Sequence, residues 1–427
     1  MKRTLGSATA PFSTSAKFVR TVLWNILYKR SAVYTIFDPN RRNTVHSLLL
    51  LLMAVPFAVV LYPLFVVVSR VIDRIDLYEV RAHGEFAWIV DHLERIRGDR
   101  DQKRSPVVVF VRSSIHHVGL GKLYSCELSC PVFWSSARSV FLAQVLLLQP
   151  NHVVKKITIY NGNFFKFEMS EDPIRAPRYL TQLRQETIKD LQSNESRFIT
   201  MAVFTSTLDE QKDPDYEAKF QFRESYGNDF ALPIDFLKEN GVDTILVGFP
   251  DTGKARIPRS IPRLTEFGHV GGHHEVALTS GCLYFWTDGV GAVMLALPFR
   301  KPALFTNSPL TWSSTWNWPQ ATSERFICVP PRYQSPSGEF LTIREQVSIG
   351  DEGEAIANGK LTAIRNSPKE ILEAHKEMLA RIDGTWVQDD KAIYRQERLK
   401  GLAYEFPELQ FMPISDYFVA QHEYLLD

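Results

Sequence analysis

Asp288 stands between Thr287 and a Gly289-Val290-Gly291 turn, within the stretch CLYFWTDGVGAVMLALPFRKPALFTNSPL from Cys282 to Leu310. An acid beside two glycines has a chemical use: without a Cβ the backbone can approach a ligand closely, and its free N–H groups suit an anion such as a diphosphate. The flanks sharpen this reading. A β-rich run, Leu283 to Trp286, precedes the turn; an Ala- and Leu-rich run that reads as helix follows it, and Pro302 leads into a second strand before Asn307. Strand, glycine turn, helix and strand form one βαβ unit, and in an open α/β sheet ligands lie at the carboxyl ends of the strands. A plain tight turn is the alternative, because the pattern falls short of a full GxGxxG fingerprint.

A second candidate lies upstream in KARIPRSIPR, where Lys254, Arg256, Arg259 and Arg263 occur without an acid. The loop follows a strand ending at Gly248 and is expected at the same sheet edge, where cations would clamp a diphosphate; a solvated basic loop is the alternative. Metal chemistry is not indicated. Cys126 and Cys130 form a CxxxC behind His116 and His117, which is not a zinc-ligand spacing, and His274-Glu275 lacks the second His of an HExxH site.

The elements that must position these residues alternate. VVVFV (Val107 to Val111) reads as the first strand, Val140 to Leu148 as helix and Ile157 to Tyr160 as strand. Leu180 to Leu191 is the next helix, then Phe198 to Thr205 opens a second series. There Phe230 to Glu239 is helical and stops at Gly241, Thr244 to Val247 is a strand, and Cys282 to Trp286 and Ala303 to Thr306 are two more. Such alternation implies parallel sheets covered by helices. Ser367, Pro368 and Glu370 supply an N-cap, a first-turn proline and a capping-box acid, with Gly384 at the helix stop.

At 427 residues the chain is too long for one ordinary core. Its 49 basic and 48 acidic residues leave a net charge of +1, which gives no general attraction to nucleic acid. Four cysteines are too few for a disulfide framework and fit buried thiols in a reducing compartment. Ser47 to Ser69 is an uncharged run of 23 residues, as a helix about 34 Å long and so matched to a hydrocarbon core of about 30 Å. It reads as a transmembrane segment, or as a re-entrant hairpin bent at Pro56 and Pro63. Beyond it Ala82, Phe86, Ile89, Leu93 and Ile96 recur at helical spacing, an amphipathic helix ending at Gly98. The expected layout is a basic tail (1–46), the apolar segment (47–69), an amphipathic linker helix (70–104), two Rossmann-like domains (105–195 and 196–385) and a C-terminal segment (386–427).

FRESYGNDFALPIDFLKENGVDTILVG (Phe222 to Gly248), the stretch from Glu275 to Leu310, and NSPKEILEAHKEMLARIDGTW (Asn366 to Trp386) resemble a family of bacterial glycosyltransferases of surface-polysaccharide gene clusters, more distantly similar to lipopolysaccharide heptosyltransferases. The resemblance covers residues 140–420 and is strongest in the second half. It implies a GT-B-like α/β fold, two Rossmann-like domains facing a cleft, with the nucleotide-sugar donor held mainly by the C-terminal one. It assigns Arg223, Gly248, Glu275, Gly291 and Asn307 to matching family positions, and with Lys254, Arg256, Asp288, Gly289 and Val290 these make the expected donor site. Val290 replaces the family's usual Ser, and Leu246 its common Arg.

The implied reaction is transfer of a sugar to a cell-envelope glycan or lipid-linked acceptor, with a general base and a stabilised leaving group. His116 and His117, after the first strand of the N-terminal domain, are the candidate base. No cofactor, bound metal or nucleic-acid partner is expected; the partners are the nucleotide-sugar, the acceptor and the membrane. The implied location is the cytoplasmic face of a bacterial inner membrane. A sugar-nucleotide epimerase and a non-catalytic membrane scaffold retaining the fold are the alternatives.

Overall fold

The computed structural model describes parts of 54–61; the backbone of 75–80, 107–111, 132–134 and 154–158; and most of 178–191, 197–203, 227–247, 257–264, 272–310, 325–406 and 413–427. Residues 258–259, 289–292, 294, 297 and 351 fall outside this description. The chain divides into two compact units, the second of which holds Phe164–Asp427.

The first unit contains β1 (Ile75–Val80), β2 (Val107–Val111), β3 (Val132–Trp134) and β4 (Val154–Thr158). They form one parallel sheet in the order β3-β2-β1-β4, with Tyr78 of β1 opposite Val109 on one side and Ile157 on the other. β2 lies where the sequence places it and β4 begins earlier. β1 is a strand inside the segment read as a linker helix, so this sheet starts well before Ser105. The expected amphipathic helix from Ala82 and the helix from Val140 to Leu148 lie outside the described residues.

The second unit opens with α1 (Arg178–Asp190), β5 (Phe198–Ala202), α2 (Gly227–Glu239), β6 (Asp243–Leu246), α3 (His273–Gly281), β7 (Phe285–Thr287), β8 (Ala303–Thr306) and β9 (Phe326–Val329). A β10–β11 ribbon (Arg332–Gln334 and Thr362–Ile364) encloses α4 (Ile343–Ile349) and α5 (Glu352–Ala357). Then come α6 (Pro368–Ile382), α7 (Asp390–Glu405), α8 (Asp416–Gln421) and a 3₁₀ turn, Glu423–Leu426.

β5 to β9 form a five-stranded parallel sheet in the order β6-β5-β7-β8-β9. Their runs FITMA, FWT, ALFT and FICV are buried throughout, as strands covered on both faces must be. α1 packs on α3, and α2 on α6. From β5 the chain steps outward to β6 and then back past it to β7. Right-handed crossovers therefore put α2 and α3 on opposite faces. The α6 terminus matches its sequence: Ser367 Oγ accepts from the Glu370 N–H, Glu370 accepts from the Ser367 N–H, and Gly384 has φ 69° just past the helix end.

The helix expected after Gly291 does not form among the described residues. Val293 and Leu295 lie in a 3₁₀ turn, closed by the Ala296 N–H on the Val293 carbonyl at 2.9 Å, and 298–300 form a second turn with Arg300 at φ 50°. Pro298 removes the donor that a continuing helix needs, so the Ala- and Leu-rich run is too short to propagate one.

The apolar run Ser47–Ser69 lies mostly outside the described residues. Within it Ala54, Pro56, Phe57, Ala58, Val60 and Leu61 are helical, with Ala54 and Ala58 buried and Phe57 and Val60 exposed. Among the described residues no helix is long and apolar enough to cross a membrane.

Candidate functional site

The second sheet changes direction between β5 and β7: from β5 the chain goes to one side, and from β7 onward to the other. Loops leaving two such strands diverge and open a crevice at their carboxyl ends, where ligands of open α/β sheets bind. Asp288 is the first residue after β7, at the carboxyl end of that strand. The Asp288 side chain is buried, at 3% exposure.

One face of the β7 segment is pinned to β8 and to α6. Trp286 Nε1 donates to Thr306 Oγ1 of β8 at 3.1 Å, and the Tyr284 hydroxyl meets His375 Nδ1 of α6 at 2.5 Å. Trp286 also stands edge-on to His375, with ring centroids 4.2 Å apart. Burial pushes His375 down to about 3 and Tyr284 well above its ordinary value, so both side chains stay neutral and act as hydrogen-bonding struts. Cys282 at the start of this segment and Cys328 of β9 are buried free thiols, and burial raises Cys282. This matches the packed role expected of them; Cys126 and Cys130 lie outside the described residues.

Asn307 follows β8, the strand next to β7, and adopts φ 51° at 0% exposure. Its backbone N–H donates to Asn366 Oδ1 at 2.6 Å, and the Asn366 N–H returns a bond to Asn307 Oδ1 at 2.7 Å. Asn366 Nδ2 donates to the Pro330 carbonyl at 2.8 Å. Asn307 thus joins the end of β8 to the start of α6, while among the described residues its Nδ2 has no hydrogen-bond partner. Sequence reading missed Asn366, although a signal was present. Asn307-Ser308-Pro309 and Asn366-Ser367-Pro368 are the same tripeptide, and the two copies face each other through their asparagines.

Glu275 lies in the first turn of α3, which starts from Gly272 at φ 75° without a side-chain cap. An acid there already complements the helix dipole and disfavours a second anion at that terminus. The basic loop ends beside the sheet: the Leu246 N–H donates to the Pro262 carbonyl at 2.9 Å, Leu246 bridges Arg263 in parallel fashion, and the Arg263 guanidinium closes on the Ile257 carbonyl at 2.7 Å. Arg263 therefore sits at the carboxyl end of β6.

The structure brings Asp288 and Asn307 to neighbouring strand ends and puts Glu275 in the helix entering β7. His116, His117, Arg223, Gly248, Lys254, Arg256, Gly289, Val290 and Gly291 lie outside the described residues.

No protein-family model matches the chain, and no curated protein does. Among solved structures, a glycosyl transferase family 9 protein from Veillonella parvula is similar at 11% identity and TM-score 0.47, over 73% of this chain and 98% of that one. The ADP-heptose lps heptosyltransferase II of E. coli is similar at 12% identity and TM-score 0.38, over 73% of this chain and 99% of that one. The glycosyltransferase SnogD of Streptomyces nogalater is similar at 9% identity and TM-score 0.27, over 83% of this chain and all (100%) of that one.

Proposed function

We propose that the chain is a glycosyltransferase of the GT-B type, taking a nucleotide-sugar donor and a cell-envelope glycan or lipid-linked acceptor. One observation carries the reading: Asp288 leaves an all-parallel sheet at the reversal between β5 and β7. The sequence resemblance, which covers this stretch and the two flanking it, supports the reaction class. Because a 3₁₀ turn stands where a helix was expected, the donor's diphosphate would meet the turn amides of 289–292 rather than a helix dipole. Arg263, at the end of β6, would bring the basic loop to the same edge, and Asn307 keeps a buried Nδ2 donor to offer.

In the reaction the acceptor oxygen bonds to the anomeric carbon as the bond from that carbon to the diphosphate oxygen breaks, and the nucleoside diphosphate leaves with the electron pair. The acceptor proton passes to the general base, for which His116 or His117 is proposed. The Ser47–Ser69 run would hold the enzyme at the cytoplasmic face of a bacterial inner membrane, where lipid-linked acceptors and cytosolic donors meet. Neither a metal nor a cofactor enters this scheme.

The test is calorimetric titration of the full chain with UDP, GDP and ADP, followed by transfer from a radiolabelled donor to extracted membrane lipid. Binding of one nucleoside diphosphate with label appearing in lipid is the expected result. At a hundredfold excess over Kd the ligand should stabilise the fold by about 2.7 kcal/mol. Binding with interconversion of the donor sugar and no transfer would identify an epimerase. Absence of binding by all three would favour a scaffold, a reading that the substitutions Val290 and Leu246 and the burial of Asp288 make specific.

A further inference from the structure

The outward face of α7 is not that of a solvated helix. Val387 just before it, and Ile393, Tyr394 and Tyr404 on it, are 84%, 47%, 64% and 87% exposed, and they make up half of the large apolar side chains left exposed among the described residues. Ala392, Gln396, Leu399 and Leu402 face the protein, so at 100° per residue Tyr394, Glu397, Gly401 and Tyr404 form the opposite ridge. Gly401 is conspicuous there. It sits in the helix interior, where glycine costs about 1 kcal/mol relative to alanine, yet no described residue lies within 4 Å of where its Cβ would stand. No contact among the described residues requires it.

We propose that this face is a self-association surface, occupied by α7 of a second copy of the chain running antiparallel to the first. Setting Tyr394 of each copy over Gly401 of the other fills the gap that the missing side chains leave. The same register brings Glu397 opposite Arg398, and Lys391 opposite the Tyr404 ring, each twice about the dyad. The charges favour this occupant over a polyanion or an anionic membrane, because Asp389, Asp390, Glu397 and Glu405 balance Lys391, Arg395, Arg398 and Lys400. Of the two charges that would pair, Glu397 holds Lys400 at 2.7 Å in an exposed bond, and Arg398 holds the Leu426 carbonyl at 2.7 Å in a half-buried one that it would exchange on association. One helix pair buries less than the roughly 800 Å² per partner of a standard interface, so a dimer of micromolar affinity is expected.

Sedimentation of the full chain across about 1–200 µM tests this, the range bracketing micromolar dissociation. A monomer–dimer equilibrium is expected for the native chain. Gly401→Leu should abolish it while leaving the melting temperature unchanged or higher, since leucine is the better helix former and has open space in the monomer. Glu397→Arg and Arg398→Glu should each weaken dimerisation at least tenfold, and the double exchange should restore it. A monomer at every concentration, a dimer that survives G401L, or a double exchange that fails to restore association would each overturn the proposal.

Discussion

His375 and Glu377, two positions apart in α6, respond to pH in opposite senses. His375 stays neutral in the fold down to about pH 3 because burial excludes its charge, so between there and its ordinary value of 6.5 only the unfolded chain takes up the proton. Stability contributed by His375 therefore falls as pH drops below 6.5. Burial pushes the Glu377 carboxyl up to about 7; Arg381, bonded to it at 2.6 Å, opposes this, and the nearby Asp416 carboxylate reinforces it. Here the native state holds a proton that the unfolded chain has lost above 4.5. Its contribution declines as pH rises from 4.5 to 7, so the two slopes offset one another between 4.5 and 6.5. Glu377→Gln removes one of them, and urea denaturation across that interval should then show stability rising with pH by up to about 1.4 kcal/mol per unit. A flat profile in the variant would mean that His375 takes up its proton as readily in the fold as in the unfolded chain, and a native chain that already rises as steeply as the variant would mean that Glu377 is ionised throughout. None of this could be read from HKEM, because the sequence does not show which helix face lies under β7 and α8.

At the scale of elements, the paired Asn-Ser-Pro tripeptides tie β8 to α6 by reciprocal bonds that leave little slack. Asn366→Ala would take the side-chain donor from the Pro330 carbonyl and leave the buried Asn307 N–H with the Val329 carbonyl at 3.0 Å as its acceptor, and chemical denaturation should register a loss of about 1–3 kcal/mol. Elements with local signals were legible. α6 declares itself through Ser367, Pro368 and Glu370, and β8 through an apolar run between Pro302 and Asn307. Where the signal was missing or misleading, tertiary context decided. The Ala-Val-Met-Leu-Ala-Leu run has helical composition, but the connection from β7 to β8 ends against Pro298 and closes as turns. β1 carries Asp76 and Glu79 among its apolar residues, so it lacks the uninterrupted hydrophobic run that gave away β2. α7 has Asp389 as its N-cap, accepting from the Ala392 N–H at 2.7 Å, yet its apolar outer face blurs the periodicity that marks a helix.

At the scale of the whole molecule, alternating strands and helices correctly announced parallel sheets, because a strand covered on both faces must be apolar along its length. The strand order, and with it the position of the reversal beside Asp288, is set by long-range pairing that no local pattern encodes. The far side of the second sheet is also closed by distant chain. The Cys328 N–H donates to the Pro413 carbonyl at 2.9 Å, the Ser415 N–H returns to the Cys328 carbonyl at 3.0 Å, and Ile414 lies parallel to β9. α8 then locks down through the Asp416 N–H on Glu377 at 2.9 Å and through Gln396 and Gln388 on the Asp416 carboxylate, while His422 reaches Glu370 at 2.6 Å. A chain ending at Phe406 should keep its parallel sheet but bare the edge of β9, and light scattering on warming should show aggregation well below the melting temperature of the complete chain.

That closing contact also bears on synthesis. A ribosome working from the amino end makes β9 more than eighty residues before Ile414, so the nascent second unit waits with one sheet margin open until that later segment has been made. Codons that slow elongation between those points would lengthen the interval in which neighbouring nascent chains can pair there, and a holdase bound to that margin would shorten it.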